Sequence, residues 1–281
     1  MLGAIIGDMV GSVYEWKQIK TKDFPIFNIE NHETDDSILT RVVARVLLDH
    51  YPINFTSENL KIIQDELVER FSNSCIGNET AGWGLDFYIW AHLPASIKQP
   101  YNSFGNGSAM RISPVGWMAN SEEEVKILSK TVTEVTHGSP EGLKGAEAIA
   151  MCIYLALHGK SKKQIKDYVI KNYYPRIADL DYATLVEYYD VDITCQGSVP
   201  EAIFCFLISR SLEDAIRNAV SIGGDSDTLA AMAGSIAEAF YQKDSVSRFE
   251  KSFLYLFIDA STEKLIVNFH EAIKSDKFKK K

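Results

Sequence analysis

Apolar residues recur at helical spacing along most of the chain. Residues 38–47, for example, place one face of a helix at Ile38, Leu39, Val42, Val43, Val46 and Leu47. Helix starts are indicated at Ser57, Ser121, Pro140, Ser161, Pro200 and Ser211. A Glu or Gln three positions after Ser121 and Ser161 predicts a capping box at each. Strand-like alternation is almost absent, and residues 24–29 and 191–194 favour at most short extended pieces, so the pattern predicts an all-α fold.

The first apolar stretch, residues 2–13, predicts a buried helix. Its glycines recur at every fourth position, namely Gly3, Gly7 and Gly11. That spacing lets a neighbouring backbone approach closely along one face. Asp8 interrupts the apolar residues, and because a buried carboxylate needs partners, we interpret it as a capping or supporting group. Glu15 follows at the end of this helix, before a polar loop, and by itself has the character of a surface residue.

Two helix starts carry more carboxylates than a helix start requires. Thr34-Asp35-Asp36-Ser37 precedes the helix of residues 38–47, and Gly223-Gly224-Asp225-Ser226-Asp227-Thr228 precedes another apolar helical run. One side chain already satisfies the first free N–H groups, so either motif alone would be an ordinary cap and turn. If the fold brings both starts together, four carboxylates meet, and their repulsion in a partly desolvated site favours bound cations. Carboxylate and hydroxyl oxygens are hard ligands, which predicts Mg²⁺ or Mn²⁺.

Two polar segments between helices are candidate ligand contacts. Gly105-Asn106-Gly107-Ser108-Ala109-Met110-Arg111 is glycine-rich, and its successive N–H groups suit phosphate oxygens, although Gly-Asn-Gly is also an ordinary turn. Arg111 either adds positive charge for a diphosphate or pairs with a buried Asp. Thr136-His137-Gly138-Ser139 precedes the helix start at Pro140, where free N–H groups also attract anions. A histidine in that position is also consistent with a structural role.

Composition limits the partners and the compartment. The 281 residues have 46% hydrophobic content and no Pro/Gly/Ser linker, which predicts one domain over residues 1–281 with a basic tail at about 276–281. A formal charge of −9 argues against general nucleic-acid or anionic-membrane binding. The four cysteines show no C-x-x-C spacing, and because Asp8 interrupts the first apolar stretch and no apolar run is long enough, we expect neither a signal peptide nor a transmembrane helix. We therefore expect a reduced, cytoplasmic protein and a monomer.

Together, these motifs are similar to those of the ADP-ribosylglycohydrolase family, and they occur in the family's order from near residue 1 to about residue 240. The matching segments are Gly7-Asp8, Gly11-Ser12-Val13-Tyr14-Glu15, Thr34-Asp35-Asp36-Ser37, the loop from Gly105 to Arg111, Thr136-His137, Ser198-Val199-Pro200 and Gly223-Gly224-Asp225-Ser226-Asp227-Thr228-Leu229-Ala230. The resemblance implies a single compact, orthogonal multi-helix, all-α domain with a dinuclear metal cleft that binds two Mg²⁺ or Mn²⁺ ions. It also implies hydrolysis of the bond to C1″ of ADP-ribose, in an ADP-ribosylated protein or a small-molecule conjugate.

The resemblance also implies a role for each matching residue. The metal ligands it implies are Thr34, Asp35, Asp36, Asp225, Asp227 and Thr228. The ADP-ribose contacts it implies are Gly105, Asn106, Gly107, Ser108, Met110, Arg111, His137 and Ser139. Either Asp225 or Glu15 would be the catalytic carboxylate that accepts the proton of the attacking water. The motif at residues 11–15 is closer to the branch acting on ADP-ribosyl-serine, poly-ADP-ribose and O-acetyl-ADP-ribose than to the arginine-specific branch.

Two other functions are compatible with the same residues. A two-metal phosphohydrolase would use these ligands to clamp a phosphoryl group, and it would release phosphate without cleavage at C1″. A catalytically silent ADP-ribose binder or structural relative would hold its ligand without turnover. Because loss of metal ligands is the simplest way to silence such a site, the presence of both aspartate pairs favours an active enzyme.

Overall fold

The computed structural model describes residues 1–241 and 247–279, with side chains to Lys274 in the last helix, so the side chains of the predicted basic tail at 276–281 lie outside the described residues. The helices are α1 (Leu2–Gly11), α2 (Asp35–Asp49), α3 (Ser57–Gly77), α4 (Leu85–His92), α5 (Gly107–Met110), α6 (Ser113–Met118), α7 (Glu122–Thr133), α8 (Pro140–Leu157), α9 (Lys162–Asn172), α10 (Tyr182–Tyr188), α11 (Cys195–Ile208), α12 (Leu212–Ser221), α13 (Ser226–Tyr241), α14 (Arg248–Phe257) and α15 (Ala260–Lys279). Short 3₁₀ turns occur at Ala95–Ile97 and Pro175–Asp179. The described residues contain no strand beyond two isolated bridges, and the all-α prediction is confirmed.

Helix α13 lies at the centre of the fold and packs against α1, α8, α11 and α12. Its closest partner is the glycine face of α1. A Cβ built on Gly7 would overlap the carbonyl of Ala230, and one on Gly11 would overlap the backbone of Asp227. The close backbone approach predicted from the glycine spacing is therefore present, and it places the end of α1 beside the start of α13.

Several helix starts follow the predicted chemistry. Pro140 is the first residue of α8, and the side chain of Ser139 accepts a hydrogen bond from the N–H of Gly142. Ser161 and Gln164 form the predicted capping box at the start of α9. These starts are local in origin, because cap and partner lie within four residues of one another.

One predicted cap, and one contact of a predicted capping box, are each shifted by one residue. Thr56, not Ser57, caps α3, because Thr56 is the last extended residue and its side chain accepts from the N–H of Asn59. Ser121 caps α7 as predicted. The carboxylate of Glu124, however, accepts from the N–H of Asn120 at 2.8 Å, so the predicted capping box closes on the preceding residue instead.

The predicted helix start at Pro200 is wrong. Helix α11 begins five residues earlier, with Thr194 as its cap, and Pro200 lies inside it. A proline in a helix leaves the carbonyl four residues before it without its usual N–H partner. Here that carbonyl belongs to Gln196, and Nη2 of Arg176 donates to it at 2.8 Å. A side chain distant in sequence therefore supplies the hydrogen bond that the proline removes.

The cysteine thiols lie in the interior and form no disulfide. All four cysteines are buried and free. Within the described residues, no helix is both long enough and apolar enough to cross a membrane.

We predict that the α1–α13 contact limits the stability of the fold. Gly7→Ala should lower the free energy of unfolding by about 1–3 kcal/mol or more, because the added methyl group has no space beside Ala230. Gly77→Ala is the matched control, since Gly77 ends α3 on the surface, where an added Cβ would meet no other atom, and it should be neutral or stabilising by about 0.5–1 kcal/mol. Urea unfolding measures both; equal effects of the two substitutions would contradict the prediction.

Candidate metal centre and adjoining cavity

The two carboxylate-rich helix starts meet in the structure. The hydroxyl of Thr228, in the first turn of α13, donates to Oδ2 of Asp36, in the first turn of α2, at 3.2 Å. Both residues are buried. The fold thus juxtaposes the motifs at residues 34–37 and 223–228, which lie near opposite ends of the sequence.

Two groups of carboxylates share Asp227. Oxygen atoms of Asp8, Asp36 and Asp227 lie within 4.8 Å of one another, and so do those of Glu15, Asp225 and Asp227. The first group is buried, whereas Glu15 and Asp225 are half-buried. A shared carboxylate between two oxygen-rich groups is a suitable arrangement for a pair of cations.

Asp8 holds the start of α2. Its Oδ2 accepts from the backbone N–H groups of Thr34 and Ser37, at 3.1 and 3.0 Å, and its Oδ1 accepts from the hydroxyl of Thr34 at 2.7 Å. The buried carboxylate of α1 therefore acts as the cap of another helix. Thr34 uses its hydroxyl mainly in this contact and does not contribute to the wall of the cavity described below.

Burial makes this cluster electrostatically costly without a counter-charge. Desolvation, followed by the neighbouring carboxylates, raises the pKa of Asp36 and of Asp227 well above the usual range. Desolvation and then Asp225 raise the pKa of Glu15 to about 7. In addition, Oδ1 of Asp36 is buried and has no hydrogen-bond partner among the described groups. Clustered hard oxygens with an unused buried lone pair fit a divalent cation such as Mg²⁺ or Mn²⁺.

A cavity of about 320 Å³ opens beside the carboxylates. Of the candidate residues, its wall includes Glu15, Asp35, Asp36, Gly105, Asn106, Gly107, Met110, Arg111, His137, Asp225, Asp227 and Thr228. The structure therefore brings most of the predicted metal and ADP-ribose residues around one space. Asn106 links the two sets, because its Nδ2 donates to Oδ2 of Asp225 at 2.7 Å.

Asp35 and Asp225 are held by their surroundings. The N–H of Asp35 donates to the carbonyl of Ala81 at 2.8 Å, which attaches α2 to the segment before α4. Asp225 follows Gly223 and Gly224, which both have φ of 75°. Only glycine adopts that region at low cost, so the glycine pair gives the turn that aims Asp225 at the cavity.

Ser108 and Ser139 do not line the cavity. Both are fully buried, and their hydroxyls are used inside the protein. Ser108 Oγ donates to the carbonyl of Gly142 at 2.8 Å, and Ser139 Oγ donates to the carbonyl of Ser103. Both serines therefore stabilise the loops behind the residues that line the cavity.

The glycine-rich loop is only partly available to a ligand. The N–H of Gly105 donates to Oγ of Ser103 at 3.0 Å, and the N–H of Asn106 donates to the carbonyl of Ile193 at 2.8 Å. A phosphate contact by this loop would therefore fall to Gly107 and the residues that follow it. Ile193 belongs to the segment that forms the facing wall.

Arg111 lines the cavity from a fully buried position. Its guanidinium sits 4.6 Å from the ring centre of Phe71, and Nη2 donates to Oγ1 of Thr136 at 2.6 Å. Burial lowers the pKa of Arg111 to about 10. Nε and Nη1 lack a hydrogen-bond partner in the described part of the chain, so Arg111 does not pair with a buried Asp there, and its contact to a diphosphate stays a prediction.

The prediction from sequence missed several residues that line the cavity. They are Leu39, Gly82, Gly84, Leu85, Asp86, Phe87, Tyr101, Ser103 and Ile193. Phe87 and Tyr101 make part of the lining aromatic, and Trp83 stacks on Phe87 with ring centres 5.3 Å apart. The glycines that flank Trp83 were the available signal, because they mark a close turn before α4.

An all-α domain in which two carboxylate-rich helix starts face a polar cavity is an arrangement of the ADP-ribosylglycohydrolase class. The family model described as ADP-ribosylglycohydrolase matches residues 1–250, and the chain belongs to this family. The resemblance inferred from the motifs and the predicted enzyme class are thereby confirmed.

Two relatives and one solved structure have low sequence identity to this chain, but each alignment covers most of it. ADP-ribosylhydrolase ARH3 of Homo sapiens is 25% identical, over 88% of this chain and 85% of that protein. ADP-ribosylarginine hydrolase Tri1 of Pseudomonas putida is 28% identical, over 86% of this chain and 69% of that protein. A solved structure titled "ADP-ribosylglycohydrolase-related protein complex" aligns with a TM-score of 0.67 at 20% identity, covering 97% of this chain and 96% of that one, and shows the same fold.

We predict that Mg²⁺ stabilises the protein through the shared carboxylate. At a Mg²⁺ concentration 100 times its Kd, binding adds about 2.7 kcal/mol to the free energy of unfolding. The melting temperature of the protein with Mg²⁺ should therefore be higher than that of the protein with a chelator. Asp227→Asn should remove most of this increase, because Asp227 belongs to both groups. Asp86→Asn is the control, since this exposed carboxylate lines the cavity outside both groups. An equal Mg²⁺ response in all three proteins would contradict the assignment.

Proposed function

We propose that this protein hydrolyses the bond to C1″ of ADP-ribose in a conjugate, using two divalent cations. The observation that carries the proposal is the pair of carboxylate groups sharing Asp227, which open onto a cavity also lined by Gly107 and His137. Membership of the ADP-ribosylglycohydrolase family supports an ADP-ribose conjugate as the substrate.

The proposed ligands of the two ions are Thr34, Asp35, Asp36, Asp225, Asp227 and Thr228. Asp8 is a supporting residue in this assignment, because both of its oxygens already accept hydrogen bonds from the start of α2. Glu15 belongs to the second group, and its carboxylate lies close enough to Asp225 and Asp227 to share an ion there. When bound, such ions neutralise the cluster, orient hydroxyl groups and make a water molecule more acidic.

The remaining chemistry belongs to the residues of the chain. A carboxylate must accept the proton of the attacking water, and Asp225 and Glu15 are the two candidates that face the cavity. Asn106 fixes the orientation of Asp225 by donating to its Oδ2, whereas Glu15 lies in the irregular segment that follows α1. Gly107, Met110 and His137 are the proposed contacts to the ADP-ribosyl group.

We propose the leaving group from the similarity of this chain to its relatives. One relative is named for ADP-ribosylarginine and another simply as an ADP-ribosylhydrolase, and both cover most of this chain. The motif at residues 11–15 favours a serine, poly-ADP-ribose or O-acetyl linkage over arginine. We further propose a cytoplasmic monomer that does not bind nucleic acid in general, in keeping with the formal charge of −9.

We predict that the protein with Mg²⁺ releases free ADP-ribose from at least one member of a panel comprising ADP-ribosyl-arginine, ADP-ribosyl-serine, O-acetyl-ADP-ribose and ADP-ribose 1″-phosphate. Mass analysis of reactions run in H₂¹⁸O identifies the bond that breaks. For the phosphate ester, the label on phosphate decides, because its oxygens do not exchange with water: unlabelled phosphate indicates attack at C1″, whereas labelled phosphate indicates a phosphohydrolase and contradicts the proposal. Calorimetric ADP-ribose binding without any product would identify a silent binder.

The same assay distinguishes the two candidate bases. Glu15→Gln should lower turnover by a factor of roughly 10²–10⁴ if Glu15 is the base, and only modestly if Asp225 is. Asp225→Asn should abolish turnover in either case, because it also removes a proposed ion ligand. Asp86→Asn is the control and should stay active. Weakened ADP-ribose binding with normal turnover at saturating substrate would leave Glu15 as a simple substrate contact.

A further inference from the structure

A buried chain of hydrogen bonds ends at His137, behind the glycine-rich loop. Nη2 of Arg111 lies 2.6 Å from Oγ1 of Thr136, and this oxygen lies 2.8 Å from Nδ1 of His137. Arg111 and Thr136 are fully buried, and His137 is 4% exposed. The proposed metal ligands do not take part in this chain, and nothing in the proposed reaction yet uses Thr136.

The direction of these hydrogen bonds follows from what each group is able to donate. A guanidinium has no acceptor, so Arg111 donates and the oxygen of Thr136 accepts. The single hydroxyl hydrogen of Thr136 then has two possible acceptors, Nδ1 of His137 at 2.8 Å and the carbonyl of Thr133 at 3.4 Å. The shorter contact is the better hydrogen bond, which favours Nδ1 of His137 as the acceptor over the alternative in which Nδ1–H donates to the hydroxyl and the hydroxyl donates to Thr133.

An imidazole whose Nδ1 accepts must carry its proton on Nε2. Burial, and then the charge of Arg111, hold the pKa of His137 well below its usual value, so the ring is neutral and has one N–H. Nε2 lies at the glycine-rich loop, 3.7 Å from the position that a Cβ would take on Gly105 and on Gly107. The ring is therefore a neutral donor that faces the cavity.

The backbone on both sides of the ring is fixed as well. The N–H of Tyr101 donates to the carbonyl of Thr136 at 2.8 Å, and the N–H of Gly138 donates to the carbonyl of Tyr101 at 3.1 Å. The rings of Tyr101 and His137 also pack with centres 5.5 Å apart. These contacts hold the segment on both sides of His137 in place.

We infer that Thr136 is a positioning residue, which holds His137 as the Nε2–H tautomer so that it donates to an oxygen of the ADP-ribosyl group beside Gly105 and Gly107. This inference rests on the proposed function for the identity of the ligand. A phosphate or hydroxyl oxygen accepts from Nε2–H, whereas the other tautomer would turn a lone pair toward it. Arg111 contributes by fixing which way the hydroxyl of Thr136 points.

The test is ¹⁵N NMR of the histidine rings, because Nδ1 and Nε2 give different chemical shifts in the two neutral tautomers. The metal-loaded wild-type protein is measured without ADP-ribose, and His137→Asn assigns the signal among the six histidines. We expect Nε2 of His137 to be protonated. A protonated Nδ1, or a doubly protonated ring at pH 7, overturns the inference without any variant.

Thr136→Val removes the hydroxyl at nearly constant volume. We expect a mixed or reversed tautomer at His137 and ADP-ribose affinity about tenfold weaker by calorimetry, as for one lost hydrogen bond, with Thr136→Ser restoring both. Thr133→Val is the matched control, since Thr133 is equally buried in the same turn and its hydroxyl has no partner within the described structure. Thr133→Val should change neither the tautomer of His137 nor the affinity for ADP-ribose.

The tautomer and the ADP-ribose affinity together distinguish a failure of this inference from a failure of the proposed function. A Thr136→Val protein that keeps the wild-type tautomer and affinity overturns the positioning role. A tautomer that shifts in Thr136→Val and returns in Thr136→Ser supports it even if ADP-ribose does not bind to the wild-type protein, because the NMR reading needs no ligand. Failure of the wild-type protein to bind ADP-ribose would instead overturn the proposed ligand and, with it, the proposed function.

Discussion

The contact between α1 and α13 determines where every part of the centre lies. Because the glycine face of α1 lets the two backbones touch, Gly11 lies against Asp227, and Asp8 reaches the start of α2. Asp8 then caps α2, which places Asp36 beside Thr228. Side chains at Gly7 or Gly11 would separate the helices, and the two carboxylate-rich starts would no longer face one another. A packing constraint is thus the origin of an electrostatic site.

That site is costly to the folded chain by itself. Burial and mutual repulsion raise the pKa values of Asp36 and Asp227, and an oxygen of Asp36 is left without a partner in the described structure. A fold selected only for stability would replace such groups with apolar ones. Their retention around a cavity is consistent with a functional use, in which bound cations supply the missing positive charge.

Features that depend on residues close together in the sequence were predicted better than features that depend on residues far apart in it. The helix start at Pro140 and the capping box at Ser161 are local features, and they were predicted correctly. The start of α11 was misplaced because the carbonyl freed by Pro200 is satisfied by Arg176, which no local pattern indicates. The aspartate pairs indicated the centre, and Asp8 was predicted to be a capping or supporting group. Which helix Asp8 caps, and the use of Thr136 between Arg111 and His137, depend on contacts that form only in the folded chain.

The central claim is that the two carboxylate groups sharing Asp227 bind a pair of cations. Anomalous diffraction from crystals soaked in Mn²⁺ tests it most directly. We expect two peaks about 3.5–4 Å apart, one near Asp36 and one near Asp225, with Asp227 between them. A single peak, or peaks distant from these residues, would contradict the account.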